Sequence, residues 1–157
     1  MPYQLIVARP SHLDELLKLS MKALREGNEK SLPLNKYKVK TVVYDCLMDA
    51  HQLAVVAMVN GRIKGMALGS VTAHAYADGL VAEDIAIYVA PSLRGSSCYK
   101  DLVEAYDKWC GRIPNLLGAT LSLSQLNATT QVMDKLYTDL GYKRSGIDYL
   151  KLRGTDE

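Results

Sequence analysis

The 157 residues predict one mixed α/β (α+β) domain, long enough to bury a single sizeable core. Three observations carry that prediction. Two apolar runs flank Asn60-Gly61, a dipeptide that signals a hairpin because both turn positions favour positive φ. Several other stretches repeat their apolar residues at helical spacing. Residues 80–125 then read as a strand, an amphipathic helix and a second strand.

Residues 3–8, "YQLIVA", form a short strand. Leu13, Leu16, Leu17, Met21 and Leu24 place a helix after it, with Ser11 as N-cap, Asp14 three residues on and Gly27 as the stop. Residues 28–35 make a polar loop. Val39, Val42, Val43, Cys46, Leu47 and Ala50 follow helical spacing, which outweighs the strand preference of the valines. The hairpin strands occupy 53–59 and 62–73, and "YADG" at 76–79 turns the chain into a central strand, 80–89. Leu102, Ala105, Tyr106 and Trp109 share one face of the next helix. Leu121 and Leu123 alternate with Ser122 and Ser124 in a strand over 118–125. Val132, Met133, Leu136, Tyr137 and Leu140 make the last helix, closed at Gly141, and "YKRSGIDYLKL" ends the chain as one strand or a broken pair. The order is β-α-α-β-β-β-α-β-α-β, with no repeat and no linker.

Composition narrows the function. Hydrophobic residues make up 48% and the formal net charge is +2, so no strong field favours nucleic acid or a membrane surface. Lys30, Lys36, Lys38 and Lys40 read as a solvated loop and helix face. No apolar run approaches the ~20 residues that span a bilayer. The first ten residues lack a basic leader and long apolar core, so a cytoplasmic location is expected. Cys46, Cys98 and Cys110 are odd in number and lack CxxC spacing, which predicts free thiols. His12, His51 and His74 lie too far apart to suggest a metal. There are 10 tyrosines and no phenylalanine, so some buried hydroxyls must find partners.

The stretch "YVAPSLRGSSCYKDLVEAYDKW", 88–109, raises the chemical question. Pro91 ends a strand, and a small polar loop leads into a helix. Helix N-termini expose unpaired N–H groups and the positive end of the macrodipole. Arg94 adds a positive charge, while Gly95, Ser96 and Ser97 keep the side chains short. A plain turn and an anion cradle both fit. The pattern is neither GxxxxGK[ST] nor GxGxxG, so nucleotide hydrolysis and dinucleotide binding have no support.

The element order and this loop resemble the GCN5-related N-acetyltransferase (GNAT) superfamily over essentially the whole chain. Its loop pattern, (Gln/Arg)-x-x-Gly-x-(Gly/Ala), is similar to Arg94, Gly95, Ser96, Ser97, Cys98 and Tyr99, with Ser97 and Tyr99 where small residues usually stand. Asn127, followed by "VMDKLYTDLGY" with Tyr137, Gly141 and Tyr142, resembles a second family feature. The resemblance implies a central sheet of six to seven strands flanked by about four helices. It implies acetyl-coenzyme A as cofactor, its pyrophosphate on the 94–99 loop and its pantetheine arm along Ile87, Val89 and Asn127. It implies Tyr137 as general acid, where the bare pattern favours a core aromatic.

Amine attack on a thioester needs a proton acceptor. Glu83 and Asp84 are the carboxylates of the central strand, and strict alternation puts Glu83 with Ile85, Ile87 and Val89 and puts Asp84 on the other face. The resemblance favours Glu83 as the base, eleven residues before Arg94, with Asp84 or a water chain as the alternatives. Cys98 lacks a histidine to activate it. The expected activity is acetyl transfer to an amine on a small molecule, peptide or protein, in a monomer or homodimer. The acceptor cleft is expected to use residues 25–45 and 72–79, with His74 and Tyr76. The alternative is an inactive GNAT-fold binding module, motivated by Tyr99.

Overall fold

The computed structural model describes residues 2–123 and 129–153. The elements run β1 (Gln4–Val7), α1 (Leu13–Glu26), α2 (Lys36–Met48), β2 (Leu53–Val59), β3 (Arg62–Ala73), β4 (Leu80–Val89), α3 (Cys98–Cys110), β5 (Leu116–Thr120) and α4 (Thr130–Asp139). Five strands form one sheet in the order β1-β2-β3-β4-β5. The first four are antiparallel, and β5 runs parallel to β4.

The hairpin falls where Asn60-Gly61 put it, and both residues take positive φ, 49° and 75°. β2, β3 and β4 keep the expected bounds. Ser11 does not cap α1. Pro10 presets φ and starts a 3-10 turn over Pro10–His12, so His12 precedes the helix instead. Asn35 caps α2, its Oδ1 accepting from Tyr37 N at 3.0 Å and Lys38 N at 3.2 Å.

The C-terminal expectations need correction. β5 begins before residue 118 and ends at Thr120. Among the described residues there are five strands, and 142–152 is not one of them. Gly146 interrupts that stretch, and Ile147, Tyr149 and Leu150 are all exposed, while Tyr142 packs on the core and Leu152 is half-buried.

The sheet separates two cores. On one face Leu16, Leu19, Val43 and Cys46 of α1 and α2 meet Val56, Met66, Leu68 and Tyr88. On the other, Leu102, Val103, Tyr106 and Trp109 of α3, with Met133 and Tyr137 of α4, meet Val55, Ala57, Ala67, Ala82 and Val89. Period-2 alternation sorts Val55 and Val56 to opposite faces. Gly69 lets α3 approach the sheet: a Cβ there would lie 2.9 Å from Trp109 Cζ3 and 3.3 Å from Tyr106 Cε2.

A cluster at the end of α1 ties that helix to β4. Glu26 Oε2 accepts from Arg94 Nη2 at 2.8 Å, and Glu26 Oε1 accepts from Tyr88 Oη at 2.7 Å. Arg94 Nε also donates to Val89 O at 3.0 Å, and its guanidinium lies 5.4 Å from the Tyr88 ring centre. The hydrogen bond from Arg94, then that from Tyr88, holds the Glu26 carboxyl below the usual carboxylate range.

Two predictions follow from this packing. Gly69→Val should overfill the α3 contact at a cost of about 1–3 kcal/mol, lowering Tm by several degrees in a thermal melt. Because the folded Glu26 pKa is depressed, its contribution is fully present above the ordinary value of 4.5 and is lost as pH falls through the folded value. Glu26→Gln should therefore lower Tm at pH 7, and the gap to wild type should close on acidification below 4.5. A gap that stays constant with pH would argue against the ion pair as its source.

Candidate active site

Parallel pairing between β4 and β5 runs from Leu80↔Leu116 to Glu83↔Thr120 and ends there. Beyond it the strands part. Asp84 sits at the point of divergence and accepts from Ser122 N at 3.0 Å and Ser122 Oγ at 3.2 Å. A side chain thus replaces the next rung of the ladder. Burial raises the Asp84 pKa, and the two Ser122 donors oppose the rise.

A cavity of about 1190 Å³ opens at this divergence. It is lined by Met66, Leu68 and Tyr88 from the α1–α2 face and by Asp84, Tyr99 and Ser122 from the vicinity of α3. Because both sets line one space, the opening passes between the splayed strands. Residues 26–31 with Val39, Val42 and Val43 wall its far side, within the expected acceptor region 25–45. The other expected acceptor segment, 72–79, does not line it. His74 Nδ1 instead accepts from Tyr76 N and Ala77 N at 3.0 and 3.1 Å to close a turn, leaving Tyr76 exposed.

The face assignment along β4 also needs correction. Leu68 pairs with Ala86 and Gly69 with Asp84, so Ile85 is an extra residue in the strand. The bulge inverts the alternation. Ala82, Ile87 and Val89 pack under α3, whereas Ala86 and Tyr88 pack under α1 and α2. Glu83, adjacent to Ala82, therefore lies on the α1–α2 face and not with Ile87 and Val89. It is exposed, and Asp84 takes the α3 side.

The loop before α3 is built from within. Ser96 Oγ donates to Leu93 O at 2.5 Å and accepts from Cys98 N at 3.2 Å. Ser97 Oγ bonds the Tyr3 hydroxyl at 2.5 Å, and that hydroxyl also donates to Asp101. Arg94 turns inward onto Glu26, so its charge is already paired. Gly95 has φ +84°, and nothing lies within 4 Å of the position a Cβ would take. The first-turn N–H groups of Tyr99 and Lys100 have no intrahelical acceptor. An anion at this end of α3 would meet main-chain donors rather than the guanidinium. Cys98 is buried, and burial pushes its thiol up to about 11, which excludes a ready thiolate at neutral pH.

Tyr99 does not enter the loop. Its ring packs in the core at 7% exposure, and its hydroxyl bonds that of Tyr137, which in turn donates to Ser122 O at 2.9 Å. Burial pushes the Tyr137 phenol up to about 12, with the Tyr99 hydrogen bond acting to lower it. The Tyr99 phenol is raised, first by burial and then by Tyr137. Asn127 lies outside the described residues.

Sequence reasoning missed Glu26, Tyr3 and the bracing role of Asp84. Glu26 and Arg94 are 68 residues apart and Tyr3 and Ser97 are 94 apart, so no local pattern signals either contact. The surplus of tyrosine was the one available hint.

No protein-family model matches the chain, and no curated protein matches it. Solved structures do. A possible acetyltransferase from Clostridium difficile 630 is 15% identical, with 99% of this chain and 100% of that one covered and a TM-score of 0.70. AAC(6')-Iy, in complex with the bisubstrate analog CoA-S-monomethyl-acetylneamine, is 18% identical over 98% of this chain and 99% of that one, with a TM-score of 0.68. A ribosomal-protein-alanine N-acetyltransferase from Brucella melitensis biovar Abortus 2308 is 15% identical over 98% and 100%, with a TM-score of 0.65. Splayed parallel strands, a loop entering α3 and end-to-end similarity to these proteins agree on one architecture: the chain shares the fold of these acetyltransferases.

Proposed function

We propose that this protein transfers the acetyl group of acetyl-coenzyme A to an amine. The observation that carries the reading is the gap between β4 and β5, which opens past Glu83↔Thr120 into a cavity reaching both faces of the sheet. A donor approaching from the α3 end and an acceptor approaching from the α1–α2 side would meet there. Similarity to a protein solved with a coenzyme A bisubstrate analog supports the same cofactor here. The free space at Gly95 and the first-turn donors of α3 fit a pyrophosphate.

The roles follow from position. Main-chain N–H groups of Gly95, Ser97 and Tyr99 are the candidates to face the pyrophosphate, those of Ser96 and Cys98 already donating to Leu93 O and Ser96 Oγ, and Arg94 shapes the loop through Glu26. Main-chain groups of Ile87 and Val89 are the candidates for the pantetheine arm, with Asn127 as a further candidate. When bound, the cofactor supplies an activated acyl carbon. Glu83 is open to solvent, as a base handing a proton to water requires, and it stands beside the cavity-lining Asp84 without itself lining the cavity. Asp84 serves this role less well, because Ser122 already occupies its carboxylate. Tyr137 gives a proton to the departing sulfur. Tyr99 now offers no argument for an inactive binding module, since its ring leaves the loop clear.

The neighbours' names include a small aminoglycoside acceptor and a ribosomal-protein alanine. A small-molecule amine is the acceptor class favoured here, because a walled cavity between α1–α2 and the sheet suits a compact molecule.

Calorimetric titration with acetyl-coenzyme A should give saturable binding, and its absence at millimolar cofactor would overturn the proposal. With neamine as acceptor and thiol release as readout, Tyr137→Phe and Glu83→Gln should each lower kcat by about 100-fold or more while cofactor affinity barely moves. Glu83→Gln with unchanged kcat would remove Glu83 as base.

A further inference from the structure

We infer that Tyr99 is a positioning residue for Tyr137, and that the two phenols act as one hydrogen-bonded couple at the cleft. The inference rests on the acid role proposed for Tyr137. Its geometry is independent of that role.

Tyr99 comes from the first turn of α3 and Tyr137 from the last turns of α4. Their hydroxyls bond each other across the two helices, and both residues are 7% exposed. The proton order is fixed by the third member. Tyr137 O–H donates to Ser122 O at 2.9 Å, so the bond between the phenols is donated by Tyr99. Ser122 also gives its N–H and hydroxyl to Asp84. The chain therefore runs from Tyr99 through Tyr137 to Ser122 and ends at the carboxylate where β4 and β5 part. Tyr99, Ser122 and Asp84 all line the cavity.

This arrangement has a chemical consequence. The acceptor nitrogen bonds to the acyl carbon, the bond from that carbon to sulfur breaks with its electron pair staying on sulfur, and the Tyr137 Oη proton moves to the sulfur. Tyr137 is left as a phenolate. The acceptor nitrogen loses its own proton to Glu83 and water, so charge balances. The phenolate keeps the hydrogen bond from Tyr99, and such a bond is stronger to an ionised oxygen than to a neutral one. Tyr99 thus favours the state in which Tyr137 has given up its proton. Before transfer, the same donation turns the Tyr137 proton away from Tyr99 and toward Ser122 O, at the mouth of the gap. A glycine or alanine at position 99 could do neither.

Two measurements test this. Proton NMR of the unliganded protein needs no acceptor. A hydroxyl proton held in a buried bond between phenols exchanges slowly, so wild type should show a Tyr99 hydroxyl resonance. Tyr99→Phe should abolish it, and Tyr137→Phe should shift it and speed its exchange. The absence of that resonance in wild type, or its indifference to Tyr137→Phe, would overturn the couple. Thiol release from acetyl-coenzyme A with neamine is the second readout. Tyr99→Phe, which conserves the ring, should keep the wild-type melt and KM for acetyl-coenzyme A while kcat falls about tenfold or more, as expected for one lost hydrogen bond to a charged oxygen. In a Tyr137→Phe background it should cost nothing further. If Tyr137→Phe slows turnover but Tyr99→Phe does not, the positioning role fails alone. If Tyr137→Phe is itself as fast as wild type, the acid assignment fails, and the NMR result still decides whether the couple exists.

Discussion

The separation of β5 from β4 is the constraint on which the site depends. A parallel ladder left to itself would continue past Thr120. Asp84 stops it by offering carboxylate oxygens where the next strand rung would form, and Ser122 takes them with both its N–H and its hydroxyl. This satisfies the backbone donor that the splay would otherwise orphan. A carboxylate in partial burial is costly unless it is hydrogen-bonded, so the two partners require each other. The bulge at Ile85 completes the arrangement, since without the extra residue Asp84 and the pair Ile87 and Val89 would fall on opposite faces.

The two faces of the sheet are tied together at the same end. Glu26 closes α1, which packs on one face, and Arg94 lies in the loop that feeds α3 on the other. The residues that follow Glu26 wall the cavity, while those that follow Arg94 form the proposed cradle. One ion pair, braced by Tyr88 and the Val89 carbonyl, therefore ties the cavity wall to the loop that feeds α3.

Much of the fold was legible because its signals are local. Asn60-Gly61 fixed a hairpin by backbone preference alone, and the apolar spacing in α1, α3 and α4 fixed their inward faces. The errors occurred where local rules meet long-range contacts. Alternation misplaced Glu83 relative to Ile87 because a bulge leaves no mark in residues 80–89. The chain after Tyr142 carries apolar residues that suggest a strand, yet Ile147, Tyr149 and Leu150 stay exposed. Pattern named Gly95, Arg94 and Tyr137 as candidates, but the direction of the Arg94 side chain was not legible, because its partner lies 68 residues away. The Tyr99 question had the same form. A residue that looked too large for its loop is accommodated because its side chain belongs to the core instead.

The absence of phenylalanine now has a structural meaning. Tyr88 reaches Glu26, Tyr106 reaches the Thr120 carbonyl, Tyr142 reaches Asp107, and Tyr99 and Tyr137 reach each other. Each ring fills volume as phenylalanine would, but its hydroxyl is satisfied only in one orientation. A core of plain rings tolerates sliding and repacking, since one apolar contact replaces another at small cost. Here any slip strands a buried hydroxyl, at about 1–3 kcal/mol apiece. The tyrosines act as a set of keyed joints: they penalise every alternative assembly of the same parts, and so hold the separated strands to a single register.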